Sequence, residues 1–409
     1  MKFEQFVRRS DATAPAVTFC VSDPTGLGVI RNLARQGIPV LALDGDPRAA
    51  GLKSRFAAQC ICPDPHYDEA GYISMLQDIG RCLPQKAVLI PCQDDAAFAA
   101  SRNAETLEPW YLMPFSRWPV MSRLALKDDQ IKVAMKAGID VPRTAFVRTS
   151  EDLADAIRDV PFPAILKSAK PRALQRQGFG KAVTVAKEED LTAAWKRVCG
   201  CGTMILQETI PGGDDELFGY YSYLNSASEP LAQFTCQKLR QHPRLFGEAR
   251  FGESVWVQEV ADQSLALLRE FGFHGVSGIE FKRDPRDGKF KFMEVNVRHT
   301  TRVALAAACG VNITYAAYRD ALGRPEVTPA QEEGPRWIYS CYDVPDSIRE
   351  IVRGELSWID WTRSLKGTRL DAMLAADDPI PGLYQWYQHI GGFIKARVRL
   401  PEKSGVDQQ

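Results

Sequence analysis

Two strand-forming runs, residues 278–282 and 290–297, are separated by residues 283–289, which carry Pro285 and the Asp287-Gly288 pair of a tight turn. The runs must fold back on each other as a hairpin. Glu280 then lies beside Glu294 across two strands, and the period of two along a strand sends Glu294, Asn296 and Arg298 to one side and Val295 and Val297 to the other. A solvated strand face would carry the same alternation, but two like charges directly opposite each other destabilise a bare sheet. A divalent cation removes that repulsion, and two carboxylates with an amide oxygen are the hard ligands that Mg2+ takes, with Mn2+ as an alternative. Glu280, Glu294 and Asn296 are therefore candidate metal ligands, with the Arg298 guanidinium on the same patch.

The rest of the composition narrows the class. The chain has 409 residues, 45% hydrophobic and 25% charged, the proportions of a globular protein of two or three domains. Lys plus Arg and Asp plus Glu each total 51, so the broad basic field of a nucleic-acid binder is missing and no such partner is expected. Residues 1–16 lack an apolar export core, and no run reaches the 18 to 20 apolar residues of a membrane span, so the expected compartment is the cytoplasm. The ten cysteines read as reduced thiols; Cys60 with Cys62 and Cys199 with Cys201 have no second ligand pair for structural zinc.

Apolar runs at 17–21, 38–43 and 87–90 alternate with helical patterns, which predicts a doubly wound parallel sheet with its functional loops at the carboxyl ends of the strands. The first loop, Asp23 to Gly28, invites a dinucleotide reading. The spacing opposes it, because Gly26 and Gly28 would put Arg31 where a small residue must let the helix approach the strand. From about Ala125 the pattern changes: Lys127, Asp128 and Asp129 open a helix that Gly138 stops, and strand-like runs at 162–167, 182–185, 203–208 and 217–224 indicate an α+β region with antiparallel hairpins. A Pro- and Glu-rich stretch, 325–335, reads as a linker to an aromatic-rich tail, whose tryptophans suit packing.

Within the α+β region, Lys167 ends an apolar run and is followed by Lys170, Arg172, Arg176, Gly178, Gly180 and Lys181, a basic glycine-hinged loop suited to covering a polyphosphate. Residues 204–208 run into Thr209-Ile210-Pro211-Gly212-Gly213, with Glu216 opening the next strand; a free strand edge there could read a purine base and a carboxylate could hold a ribose.

Taken in order, Lys127, Lys167 with its glycine loop, Gln207-Glu208 with Ile210 and Glu216, then Glu280 and the run from Glu294 to Arg298 resemble the ATP-grasp superfamily, in its carboxylate-amine ligase branch near D-aspartate ligase. The stretch from Gln237 through Lys238 to Pro243 with Gly247 is also similar to that branch. The resemblance implies an N-terminal doubly wound parallel-sheet domain (1–124), a two-subdomain ATP-grasp fold (125–204 with the lid and phosphate loop, 205–324 with the metal and substrate groups) and a C-terminal extension (325–409). It implies ATP as cofactor on Lys127, Lys167, Gly178, Gly180, Gln207, Glu208, Ile210, Glu216 and Lys238, and Mg2+ on Glu280, Glu294 and Asn296.

The implied reaction joins a small carboxylate to an amine through an acyl phosphate, releasing ADP and phosphate, with Lys167 and Arg298 as catalytic residues. Lys238, Arg240, Arg298 and Arg302 offer charge for the acid, and Asp94 with the Asp23 loop for the amine. Val297 and His299 replace the proline and aromatic residue found in many relatives, which makes His299 a candidate specificity residue. Such enzymes are often homodimers. The competing readings are an ATP-binding sensor or scaffold without catalysis and an NAD-dependent oxidoreductase.

Overall fold

The computed structural model describes residues 3–398 apart from 171–172, 176–177, 181 and 245–246, with side chains described to residue 391. The amino-terminal sheet is built from β1 (Ala16–Phe19), β2 (Val40–Asp44), β3 (Ala57–Ile61), β4 (Ala87–Pro91) and β5 (Tyr111–Leu112), all parallel in the order β3-β2-β1-β4-β5. Its strands are apolar on both faces because helices cover both, as a parallel sheet requires. The first apolar run stops short of Val21: Cys20 takes a positive φ of 67°, which ends β1 and turns the chain into the loop before the helix Pro24–Ala34. Asp23 caps that helix, accepting from Thr25 N at 2.8 Å and Gly26 N at 3.3 Å. Gly26 is required here, since a Cβ would stand 2.3 Å from the Cys20 carbonyl oxygen.

A second, antiparallel sheet holds β6 (Thr144–Val147), β7 (Ala164–Ser168), β8 (Ala182–Val185) and β9 (Met204–Glu208) in the order β6-β9-β7-β8. The third sheet contains β10 (Leu217–Leu224), β11 (Pro230–His242), β12 (Glu248–Ser254), β13 (Gly275–Arg283), β14 (Phe290–Asn296), β15 (Arg336–Ile338) and β16 (Thr368–Asp371), ordered β14-β13-β10-β11-β12-β15-β16. Its pairs are antiparallel except β15 with β16. One face carries Phe218, Tyr220, Ile279 and Phe281 and packs under the helices Lys127–Lys136 and Gln258–Phe271. On the other face Tyr221, Phe234 and Cys236 meet the helices Val303–Ala308 and Ile313–Ala321, while Glu280 and its neighbours stand beyond that cover.

The segment after Arg324, expected as a linker and a tail outside the core, instead supplies β15 and β16 to this sheet. Trp337 is fully buried opposite Gly252, so the aromatic residue packs where β12 offers no side chain. The same segment also reaches the first domain. Arg31, misplaced for a dinucleotide loop, is buried and donates from Nε to Asp378 Oδ2 at 3.1 Å and from its NH2 group to the carbonyls of Met373 and Asp378. Asp378 also accepts from Ser54 Oγ at 2.8 Å and Arg55 N at 3.0 Å. Removing one member of a buried ion pair leaves the other charge without compensation. Asp378→Ala is expected to lower the unfolding free energy by about 3 to 5 kcal/mol, read as a drop in the urea midpoint.

Candidate active site

The hairpin forms with Glu280 directly opposite Glu294 and Gly278 opposite Asn296, so the two carboxylates and the amide share one face of β13 and β14. A bulge follows immediately, because Phe281 pairs with Phe292 and leaves Met293 as the extra residue; this re-aims the strand where the acids sit. Each carboxylate has a lysine. Lys127 Nζ donates to Glu294 Oε2 at 3.0 Å and Lys238 Nζ to Glu280 Oε2 at 3.4 Å. The Lys127 ammonium, its hydrogen bond and the nearby Lys167 hold the Glu294 carboxyl well below the usual carboxylate range, against the cost of burial. Glu294 in turn raises Lys127.

Lys127 is placed by two neighbours that the sequence reading did not single out. Its own N–H donates to Ala169 O at 3.1 Å, just past the end of β7. One turn later, buried Gln130 clamps β14 from both sides, donating Nε2 to Val295 O at 3.0 Å and accepting Val295 N at 3.0 Å. The side-chain amide thus completes the backbone pairing of this edge strand at the residue after Glu294. The signal was present only as a polar residue on the apolar side of a helix.

Lys167 lies in β7, 8% exposed, and donates to Gln207 Oε1 at 2.9 Å across the sheet. Burial first, then the Lys127 charge, pulls its ammonium down to about 7. The sign follows directly: between about 7 and its unfolded value near 10.5 the unfolded chain binds the extra proton, so this group makes stability rise with pH over that window. Below it the folded state bears a buried ammonium. Wild type is therefore expected to gain urea stability relative to Lys167→Met between pH 7 and pH 9.

The remaining expected residues are placed as follows. Gln207 is fully buried on the Lys167 side, and its Nε2 donates to Thr144 Oγ1 at 2.9 Å. Glu208 points to the opposite side of β9, where it accepts Arg143 N at 2.8 Å and pairs with Arg286 at 3.0 Å beside a cavity of about 520 Å³. The Ile210 carbonyl accepts Lys282 Nζ at 2.9 Å, and Glu216 is paired with Arg283 at 2.7 Å. Gly178 has a φ of 78° and open space where a Cβ would stand, and a Cβ on Gly180 would meet only the Ala182 carbonyl oxygen, at 3.8 Å. Arg172, Arg176 and Lys181 of that loop lie outside the described residues.

The first domain closes the site. Arg298 ties the hairpin to it, with Nε 3.1 Å from Asp94 Oδ2 at the carboxyl end of β4, and it also donates weakly to Asn296 Oδ1 at 3.4 Å. Burial disfavours its charge, but Asp94, Asp23 and Glu248 outweigh that and raise its pKa. Burial and Glu248 push the Asp23 carboxyl up to about 6. His299 is buried, and burial together with Arg298 holds it at about 3, so it stays neutral at ordinary pH. Among the described residues no three His, Cys, Asp or Glu side chains converge. The donor set is two carboxylates and one amide oxygen, which fits a cation that takes most of its remaining oxygens from phosphate and water.

The three sheets match known architecture. N5-carboxyaminoimidazole ribonucleotide synthetase, solved with ADP, superposes with a TM-score of 0.63 over 83% of this chain and 86% of its own, at 14% identity. This chain has the ATP-grasp fold. The biotin carboxylase domain of 2-oxoglutarate carboxylase from Hydrogenobacter thermophilus, solved with MgADP, ADP and bicarbonate, gives a TM-score of 0.60 over 78% of this chain and 72% of its own, at 14% identity. Residues 253–326 match the family described as carbamoyl-phosphate synthase L chain, ATP binding domain. In sequence the chain is 24% identical over 243 residues to D-aspartate ligase of Enterococcus faecium (strain Aus0004), covering 56% of this chain and 57% of that ligase. The matched segment thus spans little more than half of that relative.

Proposed function

We propose that the chain is an ADP-forming carboxylate-amine ligase. The observation that carries this is the opposed pair Glu280 and Glu294 with Asn296 beside them, each carboxylate countered by a lysine and Glu294 also within reach of the Lys167 charge. Mg2+ held by Glu280, Glu294 and Asn296 would neutralise charge on the transferring phosphate. Lys127 and Lys167 would bind phosphate oxygens, and the loop at Gly178 and Gly180 would cover them. Gln207, Glu208 and Ile210 would border the base, Glu208 through its backbone because its side chain faces Arg143 and Arg286. Glu216 would take the ribose by exchanging Arg283 for it. Lys238 would counter the Glu280 charge and contact the phosphates.

In the first step a substrate carboxylate oxygen bonds to the γ-phosphorus and the bond to the ADP oxygen breaks. In the second an amine nitrogen attacks the acyl carbon, the bond to phosphate breaks, and the amine gives up a proton. Arg298, fixed by Asp94, would stabilise the oxyanion formed between these events. The Asp23 carboxylate, raised by burial, stands on the same side as Arg298 and is suited to an ammonium. No enzyme nucleophile is needed.

Purified protein with Mg2+ and ATP is expected to release ADP only when pooled carboxylic acids and pooled amino acids are both present. Lys167→Ala and Glu294→Ala are each expected to lower that rate roughly 100-fold or more while leaving the circular dichroism spectrum unchanged. Full activity in either variant removes the site assignment. ATP raising the melting temperature with no ADP from any pool would favour a binding protein instead.

A further inference from the structure

Four basic residues offered charge to an acid substrate, and the fold occupies three of them. Arg240 is a fork on Asp343, at 2.7 and 3.0 Å; Lys238 is on Glu280; Arg298 is on Asp94. Arg302 differs. It is 5% exposed, and among the described residues no carboxylate stands within ion-pair distance of it. Its guanidinium donates to the neutral Thr301 Oγ1 at 2.7 Å and also bonds the Cys236 thiol, it lies 5.9 Å from the Tyr221 ring centre, and its Nε is buried with no acceptor. Burial opposes its charge, and Tyr221, Cys236 and, from further away, Glu280 and Glu248 favour it.

The neighbouring residues show the same deficit. His299 Nε2 and Thr300 Oγ1 are also buried without partners, so the segment that leaves the metal-ligand strand is lined with unmatched polar groups. Such groups cost free energy in a finished interior and are kept where a ligand completes them. The segment crosses the sheet face beside Glu280: a Cβ on Gly278, opposite Asn296, would lie 2.5 Å from Thr300 Cγ2 and 3.2 Å from Tyr221 Cδ1. Gly278 therefore admits Thr300 closely, and the chain carries Arg302 to the border where the helix Val303–Ala308 begins to cover the face.

We propose that Arg302 is the receptor for a second oxyanion on the acid substrate, so that the ligase acts on small molecules with one carboxylate to activate and another anionic group, carboxylate or phosphate, to anchor. A guanidinium fork suits either. The proposal rests on the ligase reading for its substrate class, but the contact itself needs no turnover.

The test is the melting temperature of the full chain with succinate, 3-phosphonopropionate or propionate, each with and without Mg2+ and a non-hydrolysable ATP analogue. One or both two-ended acids are expected to stabilise the protein more than propionate does, and the better of the two names the anchored group. Arg302→Gln is expected to abolish that excess while leaving the propionate and nucleotide responses in place, and Arg302→Lys to retain part of it. No excess in wild type, or an equal excess in Arg302→Gln, overturns the proposal. Failure of both variants to fold would make Arg302 structural and overturn it too. An excess that appears while the nucleotide analogue has no effect leaves this receptor standing and counts against the ligase reading alone.

Discussion

Two carboxylates facing each other across one hairpin set the terms for the rest of the molecule. Unbalanced, Glu280 and Glu294 would push β13 and β14 apart; the fold answers with Lys238 from β11 and Lys127 from the helix Lys127–Lys136, which packs against the same sheet. In the proposed ligase both counter-ions would also meet phosphate charge. The same lysines hold the hairpin together and, in the proposed reaction, would be the groups that a polyphosphate and its cation rearrange. Lys167, forced toward neutrality by burial and by Lys127, adds a cation that gains most when anionic charge arrives.

Positioning depends on interactions between elements far apart in sequence. Gln130 pins the edge of β14, the Lys127 N–H binds beyond β7, and Arg298 reaches Asp94 at the mouth of the parallel sheet. One helix terminus, one hairpin and one loop thereby meet at a single point. The carboxy-terminal segment locks this arrangement from outside, extending the third sheet by two strands and burying Asp378 against Arg31. Its Trp337 and Trp361 are buried, the latter donating Nε1 to Asp343, whereas Trp358 is exposed.

Much of the site was legible because it lies on short-range patterns. A turn signal fixes a hairpin, and a period of two fixes which of its side chains share a face; both hold regardless of tertiary context. Roles that depend on the second neighbour were less readable. Glu208 and Glu216 look free in sequence, yet Arg286 and Arg283 engage them, because β13 and its turn pass beside β9 and β10. Arg31 read only as a misfit in a glycine loop until its partner, 347 residues away, was in place.

The sequence by itself determined the strand and helix order, the hairpin, the shared face of Glu280, Glu294 and Asn296, and the failure of the dinucleotide spacing, since each follows from local geometry and residue chemistry. Only the tertiary structure decided which charges are spent and which are left over. Arg240, Lys238 and Arg298 each found an acid and, among the described residues, Arg302 did not, and burial moved Lys167 and His299 down and Asp23 up. Desolvation and ion pairing are properties of neighbours brought together by folding, and no local pattern encodes them.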